Sequence, residues 1–180
     1  KNINALELDH IEGNGNKNCC TGKPKDMGGL PHELGSTGFG VVQSTLVGLE
    51  HLGLNPADIT FAVEGFGNVG EFASKFLTEK GAKLVAVSDS RGLVVDENGL
   101  NFDRLKNVKH EKGSVISYGV GDVKDSKEIL NVKADVLITA AIKDLISDDK
   151  VESLQFKLIV QGSNIPMTFE GERKAHEKGI

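Results

Sequence analysis

The stretch Glu64-Gly65-Phe66-Gly67-Asn68-Val69-Gly70 carries three glycines at the spacing G-x-G-x-x-G. Glycine fills 22 of the 180 positions, so the spacing alone arises readily by chance, and its meaning depends on what flanks it. Upstream, Ile59-Thr60-Phe61-Ala62-Val63 is a short apolar run bounded by Asp58 and the glycines, the length and composition of a buried strand. Downstream, Val69, Phe72, Ala73, Phe76 and Leu77 recur at helical spacing, and Lys80-Gly81 gives a basic last turn followed by a glycine stop. A second apolar run over residues 83–87 ends at Ser88-Asp89-Ser90. Strand, glycine turn, helix and strand occupy about 30 residues, the length of a βαβ unit.

In that setting each glycine has a physical task. Gly65 allows a tight turn, Gly67 lets backbone approach a pyrophosphate with no side chain in the way, and Gly70 lets the helix pack against the strand. The helix start, running through Phe66, Asn68 and Val69, offers N–H groups and the positive end of its dipole to a diphosphate. Asp89, 24 positions after Gly65 at the end of the next strand, is placed to accept hydrogen bonds from an adenosine ribose. The turn therefore predicts a dinucleotide site, against the plainer reading of a glycine-permitted strand-helix junction. The choice between NAD and NADP stays open: the Asp89 carboxylate repels a 2′-phosphate, while Ser88, Ser90 and Arg91 beside it are able to hold one. Arg91 reads equally as a solvated loop cation.

The rest of the chain repeats the alternation. Residues 1–35, rich in Gly, Asn, Lys and Pro, read as a poorly structured lead-in, and 36–180 as one dinucleotide-binding domain. From Thr37, the stripe Val41, Thr45, Leu49 and Leu52 predicts a helix of about four turns stopped by Gly53 and Asn55-Pro56. A small hairpin or surface excursion is expected over 91–100 around Asp96-Glu97-Asn98-Gly99, a polar helix over 101–112, buried strands at 135–139 and 157–160, and a short helix over 147–154 capped by Ser147. Thr168 is expected to cap a last, charged helix. Strands alternating with helices predict an α/β fold with a doubly wound, mostly parallel sheet of Rossmann type.

Composition narrows the function classes. A net charge of −5 spread over mixed signs, with 5% aromatic residues and no long Lys/Arg run, argues against nucleic acid as a partner. The longest nearly apolar run, 136–142, is far short of the roughly 20 residues of a spanning helix. Cys19 and Cys20 are adjacent and read as free thiols of a reducing compartment, so a cytoplasmic location is expected. The five histidines (10, 32, 51, 110, 176) show no metal-ligand spacing, and no metal site is expected. The chain opens with Lys1 and no targeting signal, as though it begins inside a longer sequence.

Several separated motifs together resemble the coenzyme-binding domain of glutamate dehydrogenases, in the wider glutamate/leucine/phenylalanine/valine dehydrogenase family. They are Thr21-Gly22-Lys23-Pro24, Gly28-Gly29, Ser36-Thr37-Gly38-Phe39-Gly40-Val41, the GFGNVG turn, Val87-Ser88-Asp89-Ser90, and Gly162-Ser163-Asn164-Ile165-Pro166-Met167-Thr168. The resemblance runs from about residue 21 to the end. It implies that Thr37 lies near the nicotinamide, that Asn164 hydrogen-bonds the nicotinamide ribose or amide, and that Ala140 and Ala141 let the ring and ribose lie against small side chains. Read alone, these residues are a helix cap, a turn residue before Pro166 and core packing. Pro31-His32-Glu33-Leu34-Gly35 departs from the usual Gly-Arg, and Ser163 replaces an alanine.

The resemblance further implies oxidative deamination of glutamate to 2-oxoglutarate and ammonia with NAD or NADP, and a homo-oligomeric, hexameric parent. The family's glycine-flanked catalytic lysine belongs to an N-terminal substrate domain, and no such motif occurs in these 180 residues. The chain is thus expected to hold cofactor-binding residues and no catalytic ones, and to be inactive alone. The cofactor domain of a leucine, phenylalanine or valine dehydrogenase, and a stand-alone nucleotide-binding module, remain as alternatives.

Overall fold

The computed structural model describes residues 25–29 and 34–180. Both cysteines, His10, His32, Thr21-Gly22-Lys23-Pro24 and most of the expected lead-in lie outside the described residues. The chain divides into two compact units, Lys1–Ser36 and Thr37–Ile180. In the first, Lys25–Met27 forms one 3₁₀ turn, closed by the Gly28 N–H donating to the Lys25 carbonyl at 3.1 Å.

Six strands form one sheet in the second unit: β1 (Thr60–Glu64), β2 (Lys83–Asp89), β3 (Gly92–Val95), β4 (Asp122–Lys124), β5 (Val136–Thr139) and β6 (Leu158–Gln161). Their spatial order is β4-β3-β2-β1-β5-β6. β2, β1, β5 and β6 run parallel, while β3 and β4 add an antiparallel edge. The helices are α1 (Ser36–His51), α2 (Asn68–Glu79), α3 (Phe102–Lys112) and α4 (Phe169–Lys178). This is the doubly wound, mostly parallel α/β sheet that the alternation predicts. No helix among the described residues is long and apolar enough to cross a membrane.

The runs at β1, β2 and β5 are buried on both faces, as a parallel sheet between two layers requires, whereas the run expected as a buried strand at 157–160 forms the edge strand β6, in which only Val160 is buried. On one face Phe61, Val63, Val136 and Ile138 meet Val42 and Leu49 of α1, Leu77 of α2 and Leu105 of α3. On the other, Ala62, Ala86 and Leu137 meet Ile129, Ile146, Val151, Phe156 and Ala175 of α4. Thr45, fully buried on the α1 stripe, satisfies its hydroxyl by donating to the Val41 carbonyl at 2.8 Å. At the amino end of β1, Asp135 accepts from the Thr60 N–H and hydroxyl and pairs with Lys157 at 2.7 Å, tying β1, β5 and the entry to β6.

Two local expectations change. The hairpin lies one turn earlier than expected: β2 reverses into β3 through Ser90-Arg91, with Asp89 opposite Gly92. Asp96 to Gly99 instead makes the turn that returns the chain toward α3. Residues 147–154 form only a 3₁₀ turn, Val151–Ser153, and the Ser147 hydroxyl bonds to Asp149 and caps no helix. Val151 and Leu154 satisfy the core without further helical length. Thr168 does cap α4, accepting from the Gly171 N–H at 3.1 Å.

Candidate functional site

The chain runs from β1 to β2 on one side and later crosses to β5 on the other side of β1, so the carboxyl ends of β1 and β5 flank a topological switch point. Ligands of open α/β sheets bind in the crevice at such a point. Here the loops after β1, β2 and β5, together with the 3₁₀ turn Ser126–Asn131 that precedes β5, line a partly open cavity of about 350 Å³ bordered by Glu64, Gly65, Asp89, Ser90, Lys127 and Ala141, among others. A second, open groove of about 580 Å³ lies between the start of α1, from Thr37 to Ser44, and β6 with Gly162. The glycine turn touches the first cavity through Gly65 and leads into α2.

The three glycines of the turn differ in what the protein asks of them. Gly65 has φ +91°, and a Cβ there would lie 2.5 Å from Ala141 Cβ, so only glycine fits. At Gly70 a Cβ would collide with the Gly65 carbonyl oxygen and sit 3.0 Å from Val63 Cγ1. Gly67 has φ −99°, open to any residue, and a Cβ would meet nothing within 4 Å. The fold needs Gly65 and Gly70, whereas the space beside Gly67 is open.

Gly67 also leaves α2 without a side-chain cap. By contrast Asn101 caps α3 through the Arg104 N–H at 2.9 Å, and Thr168 caps α4. First-turn N–H groups have no intrahelical acceptor, and with no side chain supplying one they suit an anion. Empty space beside Gly67, an uncapped helix and a cavity behind the turn fit a pyrophosphate with its nucleoside.

The sequence-predicted residues separate into groups. Gly65, Asp89, Ser90 and Ala141 line the cavity, and Thr37 lines the open groove. Ala140 lines neither, and its N–H is bonded to the Glu64 carbonyl at 2.7 Å. Asn164 is exposed on the loop leaving β6, next to Ile165, which adopts φ +51°. Phe66 turns its side chain into the core against Phe102, so only its backbone faces the turn. Asn68 opens α2, and Val69 packs toward the core beneath Gly162. Arg91 is exposed, with its guanidinium beside Gly113 at the end of α3, and does not line the cavity.

Asp89 is more engaged than the spacing suggests. Its Oδ1 accepts from the Arg91 N–H at 2.8 Å and the Ser114 hydroxyl at 3.1 Å, and its Oδ2 from Lys109 Nζ at 2.7 Å and the Val115 N–H at 2.9 Å. Burial pushes the carboxyl up, but the Lys109 ammonium and these donors outweigh it and hold it below the usual aspartate range.

Two contributors escaped the sequence reading. Glu64, 3% exposed, receives the N–H groups of Ala140 at 3.1 Å, Ala141 at 3.0 Å and Ile142 at 3.2 Å, fixing the loop that forms the far wall of the cavity. Burial raises its pKa above the ordinary glutamate value in spite of these donors. Gly38 is the other: a Cβ would lie 2.6 Å from Phe72 Cβ and 2.9 Å from the Ala73 nitrogen, so its absence lets α1 close on the first turns of α2. The signal for both was in the sequence, an acid directly before the turn and a glycine two residues inside a helix.

The sheet order and the glycine turn at its switch point define a Rossmann-type α/β domain. The model of the Glutamate/Leucine/Phenylalanine/Valine dehydrogenase family matches residues 28–180, and the chain belongs to that family. It is 42% identical over 160 residues to a glutamate dehydrogenase of Aeropyrum pernix, covering 89% of this chain and 38% of that protein. An NADP-specific glutamate dehydrogenase of Saccharolobus shibatae is 35% identical over 160 residues, with the same shares of 89% and 38%. Among solved structures, Plasmodium falciparum glutamate dehydrogenase 2 superposes with a TM-score of 0.78 at 26% identity, covering 89% of this chain and 38% of that one. The chain therefore spans about two fifths of the length of the relatives it matches.

Proposed function

We propose that this chain is the coenzyme-binding domain of a glutamate dehydrogenase, holding NAD or NADP for oxidative deamination of glutamate. The single observation carrying the binding role is Gly67, a glycine that the fold itself does not need, placed at an uncapped helix start. In this reading α2 and residues 65–70 receive the pyrophosphate, the cavity that Ala141 helps to line takes the adenosine, and Thr37, Ala140 and Asn164 border the nicotinamide side. When bound, the cofactor accepts or returns a hydride at its nicotinamide ring. The protein's part in this half of the site is orientation.

Glutamate as substrate is favoured over leucine, phenylalanine or valine by the names of the relatives and by the Ser-Thr-Gly-Phe-Gly run at 36–40. Amine deprotonation requires a lysine and a carboxylate from the amino-acid domain, which the family resemblance assigns outside these residues. The family resemblance also favours an oligomeric parent. The test is titration of NAD and NADP while following the amide signals of residues 65–70. Shifts at these amides support the reading, and their absence at millimolar cofactor refutes it. Turnover of glutamate by the chain alone would refute the division of labour, while activity only after adding the amino-acid domain would support it.

A further inference from the structure

The adenosine end of the dinucleotide site proposed above, on which this inference depends, carries an unexpected balance of charge. An acidic residue at the end of the second strand ordinarily favours an unphosphorylated ribose, because its free carboxylate bonds the 2′-hydroxyl. Asp89 occupies that place but has no free acceptor. A carboxylate offers about four lone-pair sites, and Arg91 N–H, Ser114 hydroxyl, Lys109 ammonium and Val115 N–H take them. Lys109, at 2.7 Å, also offsets the charge that would repel a phosphate. Glu64, the other acid of the cavity, is directed into the N–H groups of residues 140–142.

Lys127 contrasts with both. It lines the same cavity, and among the described residues its ammonium has no ion-pair partner, while its backbone N–H is bonded to Asp125 Oδ1 at 2.9 Å. Ser90 and Ser126 line the cavity too, and their hydroxyls have no hydrogen-bond partner among the described residues. A free cation and two free hydroxyls around a space whose acids are already engaged suit a phosphomonoester, which carries about −1.5 to −2 charges at neutral pH. We infer that this pocket selects the dinucleotide bearing a 2′-phosphate over the unphosphorylated one, with Lys127, Ser90 and Ser126 as ligands of that phosphate.

The experiment compares adenosine 2′,5′-bisphosphate with 5′-AMP by calorimetry on the chain, alongside NADP and NAD. The two adenosine probes differ only in the 2′-phosphate. The bisphosphate is expected to bind at least about tenfold more tightly, as a charge-assisted contact provides. Lys127→Ala should remove most of that preference, Lys127→Arg should keep it, and raising the salt should shrink it. Lys127 is exposed, so an unchanged melting temperature verifies that the variants fold. Equal binding of the two probes, tighter binding of 5′-AMP, or a preference that survives Lys127→Ala overturns the inference and leaves the dinucleotide site standing. Failure of all four nucleotides to bind overturns both.

Discussion

Replacing Gly67 and Gly70 separately divides what the fold needs from what a ligand needs. Gly70→Ala places a methyl against the Gly65 carbonyl and 3.0 Å from Val63 Cγ1, and the obstruction is largely backbone, which cannot rotate away. Overpacking of this kind costs about 1–3 kcal/mol. At about 2–4 °C per kcal/mol for chains near this size, the melting temperature should fall by roughly 2–12 °C. Gly67→Val meets nothing within 4 Å at a φ of −99°. Its loss of a tolerated cap residue and its reduced unfolded-state freedom are each below about 1 kcal/mol and opposite in sign, so stability should stay within about 1 kcal/mol of wild type. The valine side chain fills the space assigned to the pyrophosphate, however. Cofactor at one hundred times its dissociation constant stabilises the wild-type fold by about 2.7 kcal/mol, and Gly67→Val should lose most of this. Thermal melts followed by circular dichroism, with and without NADP, read both effects. Equal destabilisation of the apo chain by Gly67→Val and Gly70→Ala, or a normal melt of Gly67→Val that keeps the full cofactor shift, would refute this division between the two glycines.

Asp89→Asn should lower stability by about 2–4 kcal/mol in chemical denaturation, because it removes the charge facing Lys109 from a side chain only 4% exposed. The wild-type Asp89 pKa is depressed, so its contribution is present above the unfolded aspartate value and lost as pH falls through the lower folded one; the Asn variant should lack that acid-side loss. Glu64 has the opposite sign: its raised pKa means stability held below the unfolded glutamate value and given up as pH rises through the folded one. A Glu64→Gln variant should therefore show a flatter stability profile on the alkaline side of the unfolded glutamate pKa, and an unaltered slope there would refute the assignment. Ile165→Asn should raise stability by about 0.5–1 kcal/mol, since a β-branched residue at φ +51° is strained and its side chain is 71% exposed, leaving little packing to lose. An equal or lower melting temperature would show that the loop at Asn164 is not strained there.

Features that are local or periodic were legible in the residues alone. The apolar run before Gly65, the helical stripe after it and the cap at Thr168 are each set by residues within a few positions, and the structure carries β1, α2 and α4 there. The α/β class follows from that alternation, because strands that are apolar on both faces need a layer on each side. Features that depend on partners distant in the chain were settled only by packing. Asp89 is engaged by Lys109, Ser114 and Val115, 20 to 26 residues away, and no spacing rule announces that they return to the end of β2. The reversal at Ser90-Arg91 was set by pairing of β3 on β2, which carries Arg91 to the end of α3 and away from the cavity. Residues 147–154 kept helix-compatible side chains yet formed a single turn, because burying Val151 and Leu154 beneath the sheet fixed the path of the chain. The glycine spacing was legible from the start, but only the packed backbone separates the two glycines that the fold requires from Gly67, which faces open space.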